Sequence, residues 1–249
     1  MIYYANPSTE PIRDAMAAGQ LGCIVTPRQG NVTFPDEWDV IADNGCFGGK
    51  WNHREWFDWV LDLPRTVRFV VAPDVFDPAG GECHTATLAR WETYGPTLER
   101  HGFTPAFVCQ VGATPDNVPP APVFFLGGTT EWKLGEHARA VTEHARRVGA
   151  WVHMGRVNSR RRIEVAIRMG CDSVDGTFLT YGPDVNLPRL LRYLFEASAA
   201  VSQAPSFFDG HTISPPPLPW GIGEHPGGTP AAPSGVSPHH QQASQARWS

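Results

Sequence analysis

The sequence predicts a small (β/α)8 barrel, and three observations carry that prediction. Eight short aliphatic or β-branched runs, each bounded by turn residues, recur within residues 1–202. Amphipathic stretches separate most of them, and that alternation builds parallel βαβ units. Polar or small residues stand where the runs stop, and in a parallel barrel all those ends share one face.

Taken in order, the first run is Ile2–Asn6, followed by an amphipathic stretch over Glu10–Ala18. The second, Gly22–Thr26, leads into PRQGNVTFPDEW (27–38), which has no helical period. The third, Asp39–Asp43, precedes a helix over His53–Leu63, and the fourth, Arg68–Asp74, precedes one over Glu82–His101. The fifth, Ala106–Gln110, runs into VGATPDNVPPAP (111–122), a second connection without a helix. The sixth, Val123–Gly127, is followed by Glu131–Val148, where Leu134, Ala138, Val141 and Ala145 fall at helical spacing between charges. The seventh, Trp151–Gly155, leads to Ser159–Met169; the eighth, Asp172–Asp175, leads to a closing helix over Leu187–Ala200. Because two connections lack a helix, a doubly wound open sheet is the competing architecture.

Composition bounds the rest. A chain of 249 residues with 41% hydrophobic residues can bury a core without a disulfide or metal staple. Nine of the 24 prolines fall after residue 202, where aliphatic residues are few and no period survives, so 203–249 reads as a disordered tail behind a barrel domain at 1–202. His239 and His240 within it read as solvated side chains rather than metal ligands. No apolar run reaches the ~20 residues of a membrane span, and MIYYANPSTE lacks the basic and apolar regions of a signal peptide. The five cysteines are scattered with no CxxC pair, so neither a zinc ribbon nor a disulfide framework is expected. A cytoplasmic protein is expected, with no cofactor, no metal and no membrane partner. The net charge of −5 still permits a local basic patch.

Function is written at the strand ends. Asn6, Asp43, Asp74, Gln110, Gly127 with Gly128, Arg156 and Asp175 end or follow successive runs, so three carboxylates, an amide and a glycine pair converge on one mouth. An Asp at such a place can also simply cap the next helix. Asp43 is followed by Gly45 and Phe47 rather than by a helix, and Asp175 by Gly176, where backbone can approach a ligand closely. Asp172 competes with Asp175, but strand alternation puts the two on opposite faces.

The third run reads Ile-Ala-Asp-Asn-Gly-Cys-Phe (41–47) and the eighth Gly-Cys-Asp-Ser-Val-Asp-Gly-Thr (170–177). These resemble the Asp-Ser-Gly-Gly-Phe/Tyr-Gln and Gly-x-Asp-x-x-Asp motifs of the tRNA-guanine transglycosylase family. In between, FVVAPDVF (69–76), FVCQ (107–110), Leu126–Gly128 and VHMGRV (152–157) are similar in order to that family's strands. The resemblance spans about residues 40–200 and implies a (β/α)8 barrel. It implies Asp175 as the nucleophile at C1′ of the target guanosine and Asp43 as the general acid/base. It also implies Asp74, Gln110, the amides near Gly127 and Gly128, Asn44 and Phe47 as the groups around the guanine or 7-deazaguanine base. The chemistry asks for these residue types: a carboxylate stabilises and traps an oxocarbenium-like centre, and a second carboxyl manages the proton of the base.

The departures point to the substrate. No cysteine follows Asp175, so the family's zinc subdomain is missing, and Phe178-Leu-Thr-Tyr181 replaces its Pro-Thr-Arg sequence. Asn44 and Cys46 replace the usual Ser and Gly. The chain is similar to the short, zinc-less members that exchange guanine in DNA for a 7-deazaguanine, so DNA is expected ahead of tRNA. A (β/α)8 glycosidase or phosphodiesterase built on the same carboxylates is the alternative activity. Arg156, Arg160, Arg161 and Arg162 (with Arg168) gather positive charge beyond the seventh run, against a helix dipole, which suits phosphate contacts. A flipped or unpaired nucleotide would fill the pocket. Trp56 and Trp59, three apart, read as core residues on a helix face, whereas Trp51 could stack a base.

Overall fold

In the computed structural model, residues 1–29, 33–48, 51–77 and 83–202 are described. The predicted tail at 203–249, with His239 and His240, lies outside them.

Eight parallel strands close into a barrel in sequence order, with β8 pairing back onto β1. They are β1 (Ile2–Ala5), β2 (Gly22–Val25), β3 (Val40–Ala42), β4 (Phe69–Val71), β5 (Pro105–Cys109), β6 (Val123–Leu126), β7 (Trp151–Met154) and β8 (Ser173–Asp175). Closure excludes the open sheet. Each predicted run overlaps an observed strand; seven of the strands are shorter than the run, and β5 has the predicted length but begins one residue earlier, at Pro105.

Alternation along the strands splits the core in two. Tyr4, Ile24, Ile41, Phe69, Val71, Ala106, Val108, Val123 and Phe125 form the cluster inside the barrel. Their neighbours, such as Tyr3, Val25, Val70, Phe107 and Phe124, pack in a larger layer with the apolar faces of the helices. The interior needs small residues to admit large ones: a Cβ built on Gly22 would lie 2.3 Å from two atoms of the Tyr4 ring. That ring is fixed at its far end, where the hydroxyl donates to Asp39 Oδ1 at 3.0 Å and Arg68 grips both oxygens of the same carboxylate.

The helices are α1 (Glu10–Ala17), α2 (His53–Asp62), α3 (His84–Arg100), α4 (Thr130–Lys133), α5 (Glu136–Arg147), α6 (Arg160–Met169) and α7 (Pro183–Ser202). Local signals set their ends. Asn52 accepts hydrogen bonds from the backbone of Arg54 and Glu55 at the start of α2, and Ser159 accepts one from Arg162 at the start of α6. Gly170, at φ 84°, closes α6 in the left-handed conformation glycine adopts without a steric penalty. Trp56 and Trp59 are buried on the inner face of α2, as their spacing predicts.

The two helix-poor connections are as expected. Among the described residues only a 3-10 turn (Pro27–Gln29) lies between β2 and β3, and 111–122 has no helix. Two details differ. The single helix expected over Glu131–Val148 is two, because Gly135 adopts an extended conformation (φ −96°, ψ −177°) and serves as the N-cap of α5. The last helix begins at Pro183, four residues before the expected Leu187, because proline suits a first helical turn that needs no N–H.

Because Tyr4 cannot withdraw from the space above Gly22, Gly22→Ala should overpack the barrel. The expected loss is about 1–3 kcal/mol of unfolding free energy, measured as a lower midpoint in chemical denaturation at unchanged slope.

Candidate active site at the barrel mouth

The inner-face pattern continues past the strand ends and delivers the site. Ile41 is followed two residues later by Asp43, Val108 by Gln110, Phe125 by Gly127, His153 by Gly155 and Ser173 by Asp175. Asp43 and Asp175 are therefore carried to the mouth, together with two glycines, Gly127 and Gly155, whose missing side chains let neighbouring ones pack closely. A Cβ on Gly155 would lie 2.8 Å from the Phe125 ring and 3.4 Å from Asp175 Oδ2. Asp172 sits at the opposite end of β8, where its carboxylate accepts the Val152 N–H at 2.7 Å, so it is no rival at the mouth.

Asp175 exposes 14% of its side chain. Its Oδ1 accepts the Arg156 backbone N–H at 3.0 Å, and its Oδ2 lies 2.9 Å from His153 Nε2. Burial alone would raise its pKa, but the hydrogen bond from His153, the Arg156 N–H and the Lys133 ammonium together hold it below the usual carboxylate range. Asp43 behaves oppositely. Burial first, and then the negative charges of Asp175 and Asp74, push it up to about 7, against the hydrogen bonds from the N–H groups of Asn44 and Gly45. The mouth thus pairs a carboxylate held ionised with a carboxyl that keeps its proton to near neutrality, the separation that marks an acid/base assignment.

Asp74 is buried, and burial raises its pKa in spite of the amide hydrogen bonds it accepts. Asn44 Nδ2 donates to Oδ1 at 2.9 Å, Gln110 Nε2 donates to Oδ2, and the Arg90 guanidinium donates to its backbone carbonyl. Asn44 also donates to the Ala72 carbonyl at 2.7 Å and accepts the Cys46 N–H at 2.8 Å. Its expected place against the base is corrected by these bonds: Asn44 ties the turn after β3 to Asp74 and acts on a ligand through that carboxylate.

The glycine pair also needs correction. Both Gly127 N–H and Gly128 N–H donate to the Cys109 carbonyl, at 3.0 and 3.1 Å, so neither points at a base edge. What the two positions supply is room, for Val108 and Gln110 beside Gly127 and for the Trp132 ring beside Gly128. Their carbonyls accept from the Arg156 guanidinium.

Arg156 is accordingly not a rim arginine. Its guanidinium lies over the rings of Phe47 and Phe76, at 4.5 and 5.0 Å, and these two rings are 4.8 Å apart. Its backbone has φ 60°, the only positive φ outside glycine among the described residues. The side chain leaves the backbone N–H free to meet Asp175 Oδ1. The other expected phosphate contacts divide. Arg160 bonds Glu164 at 2.9 Å and Glu196 at 3.2 Å, so its charge at the start of α6 is balanced within the protein. Arg162 donates to the Arg156 carbonyl at 3.1 Å. Arg161 and Arg168 are exposed. Phe47 is 58% exposed and presents a ring at the entrance. Trp51 packs edge-on against Tyr94 beneath the Arg90 guanidinium, in the wall beside the mouth.

Two groups escaped the sequence reading. Lys133, 3% exposed, donates to the Gly155 carbonyl, and its burial, reinforced by Arg156, lowers its pKa to about 7. It is the last residue of α4, just before the break at Gly135, which the periodicity did not reveal. His153, fully buried, was legible in principle: it is the inner-face residue two places before Gly155, where an aliphatic side chain is the ordinary occupant. Among the described residues no group of three His, Cys, Asp or Glu side chains could hold a metal ion, and no helix is long and apolar enough to cross a membrane.

No protein-family model matches the chain, and no curated protein matches it. Solved structures do. The Amycolatopsis orientalis BexX/CysO complex aligns with TM-score 0.51 at 12% identity, covering 82% of this chain and 91% of that one. The 3-hexulose-6-phosphate synthase of Salmonella typhimurium aligns at 12% identity over 80% of this chain and 97% of that one, with TM-score 0.46. Phosphoribosyl anthranilate isomerase from Thermus thermophilus gives 12%, 81%, 100% and 0.41 respectively. The first of these likenesses shows the barrel fold, and chemistry has to be argued from the side chains.

The raised carboxyl of Asp43 gives a prediction with a definite sign. Between the ordinary value near 4 and about 7, the folded protein holds a proton that the unfolded chain releases, so this group's contribution to stability falls as pH rises through that window and stays low above it. Asp43→Asn should therefore raise the melting temperature relative to wild type by several degrees at pH 8 and by much less at pH 5. Equal changes at both pH values would refute the assignment.

Proposed function

We propose that the chain is an enzyme, a base-exchange transglycosylase that replaces guanine in nucleic acid, DNA ahead of tRNA, by a 7-deazaguanine. The observation that carries this reading is the pair Asp175 and Asp43 at one mouth, one held ionised and the other kept protonated to about 7. The order of strand-end motifs resembling the tRNA-guanine transglycosylases supports it.

The reaction is a double displacement. An Asp175 oxygen attacks C1′ of the target nucleotide as the C1′–N9 bond breaks, and the bonding pair leaves with the guanine. The guanine takes a proton from Asp43, which is then a carboxylate. The incoming 7-deazaguanine gives its ring N–H proton to Asp43 and attacks C1′, and the Asp175 ester bond breaks to return the carboxylate. Protons balance over the cycle, the phosphodiester backbone stays intact, and a low carboxylate pKa makes Asp175 a good leaving group in the second half.

Asp74 suits the Watson–Crick edge of guanine, which offers N–H donors at N1 and N2. Asn44 and Gln110 each donate to one Asp74 oxygen, and a carboxylate oxygen has a second lone pair for the base. Phe47 offers a ring face to an extruded base. DNA is favoured because the residues after Asp175 contain no cysteine for the family's zinc subdomain. With Arg160 balanced by two glutamates, Arg161 and Arg168 remain the better candidates for phosphate contacts.

Incubation with guanine-containing DNA or tRNA and labelled guanine or 7-deazaguanine should put label into the DNA. Asp175→Ala should abolish incorporation, and Asp43→Asn should slow it by about 10²–10⁴-fold, the usual reach of a general acid/base. Label in tRNA alone would move the substrate. Release of guanine without incorporation would mark a hydrolase, and no reaction with either polymer would remove the proposal.

A further inference from the structure

Beneath Asp175 the barrel interior holds a line of polar groups that the reaction above does not use. His153 on β7 and Ser173 on β8 are inner-face residues with no solvent exposure. The imidazole is stacked on Phe125, with centroids 4.6 Å apart, and meets the ring of Phe69 edge-on at 5.7 Å and that of Tyr4 at 5.9 Å. Aromatic rings thus fix its plane, and hydrogen bonds fix its two nitrogens. Nδ1 lies 2.8 Å from Ser173 Oγ, and Nε2 lies 2.9 Å from Asp175 Oδ2. Ser173 Oγ in turn lies 2.8 Å from Trp151 Nε1.

Counting hydrogens orders this line. An indole nitrogen only donates, so Ser173 Oγ accepts from Trp151. The single hydroxyl hydrogen of Ser173 is then directed at His153 Nδ1, which accepts it. The ring hydrogen is left on Nε2, aimed at Asp175 Oδ2. Every donor in the chain Trp151, Ser173, His153 finds an acceptor, and the line ends on the carboxylate.

We propose that His153 is the positioning residue of Asp175, its Nε2–H oriented through Ser173 and Trp151 so that it holds the carboxylate in one rotamer and stabilises it as it leaves C1′. This rests on the reading of Asp175 as the nucleophile. In the glycosyl ester the Asp175 oxygens carry little charge and the N–H···O bond is weak. As the C1′–O bond breaks and the electron pair returns to the carboxylate, that bond regains charge assistance. The imidazole therefore favours breakdown of the covalent intermediate over its formation, an interaction stronger in the second transition state than in the state before it.

The other ionisable groups acting on Asp175 are Lys133 from α4, Arg156 after β7, Asp43 after β3 and Tyr3 from β1, and Tyr4 packs on the imidazole itself. Substituting His153 leaves all of these in place. The test compares wild type, His153→Leu and His153→Gln, whose amide N–H can replace the imidazole donor. Asp175 ionisation is followed by NMR of 13C-labelled aspartate, its signal identified with Asp175→Asn. In His153→Leu, Asp175 should titrate about one pH unit higher, the acid limb of base exchange should move up with it, and more enzyme should be trapped as the covalent adduct. His153→Gln should titrate close to wild type and regain most of the rate.

An unchanged Asp175 titration in a folded His153→Leu protein overturns the proposal. So does a His153→Gln protein that behaves like His153→Leu. Should His153→Leu fail to fold, Ser173→Ala decides: it keeps the imidazole and removes the hydroxyl that orients it, and an unmoved Asp175 titration there overturns the line of donors. A wild-type protein that shows no base exchange while the His153→Leu titration moves would sink the transglycosylase reading and leave the His153–Asp175 pairing standing.

Discussion

Three carboxyl groups share one largely buried mouth, and they cannot all be ionised together. Each lies close enough for its charge to be felt by another, and each has lost much of its water. Of the three, the hydrogen-bond donors decide which keeps its charge. Asp175 is met by His153, the Arg156 N–H and the nearby Lys133 charge, and stays ionised. Asp43 accepts only backbone N–H groups and faces two negative neighbours, so it keeps its proton. Asp74 accepts from two side-chain amides that orient it without contributing charge. The division of labour among the carboxyl groups thus follows from what each strand and the loop behind it can aim at them, and much of the surrounding structure serves that aim.

The positions of these groups were legible because a closed parallel barrel imposes a strict rule. Every second residue of a strand points inward, and every strand ends on the same face. Asp43, Gln110, Gly127 and Asp175 could be placed at the mouth on that rule alone, and Asp172 could be placed away from it. The two connections without helices were legible for the same local reason, since 27–38 and 111–122 carry no apolar period. What escaped was decided by single backbone conformations. Gly135 splits a stretch whose periodicity runs straight through it, and buried Lys133 ends the short helix before the split. The N–H groups of Gly127 and Gly128 turn back to Cys109, and no spacing in the sequence distinguishes that turn from one presenting them to a ligand. The role of Arg160 depended on Glu196, a residue of α7, so its neutralisation is a property of helix packing.

His153 stands between the two cases. Alternation places it inside the barrel, yet a lone histidine in a buried strand most often does no more than satisfy its own hydrogen bonds. Its meaning depends on Ser173 and Trp151, which cross-strand pairing brings level with it: His153 is in register with Ser173, and Trp151 sits two residues earlier on the same inner face. Each of the three polar groups would be costly to bury alone. Linked in a line that ends on a charged acceptor, they satisfy one another, and the carboxylate gains a donor in a place from which water is excluded.

Arg156 shows how much a single strained residue can connect. A non-glycine residue at φ 60° costs roughly 1–2 kcal/mol, and a glycine there would avoid it. A glycine, however, could supply only the N–H to Asp175. The arginine also reaches the Gly127 and Gly128 carbonyls after β6 and lies over Phe47 after β3 and Phe76 after β4. Four strand ends are therefore joined through one side chain to the backbone amide that holds Asp175. Its guanidinium opposes the negative charges of Asp175 and Asp74, and the strain at its backbone is what lets one residue meet both requirements. A residue free of strain would satisfy only one of them, which gives the left-handed arginine a physical reason at this point of the barrel.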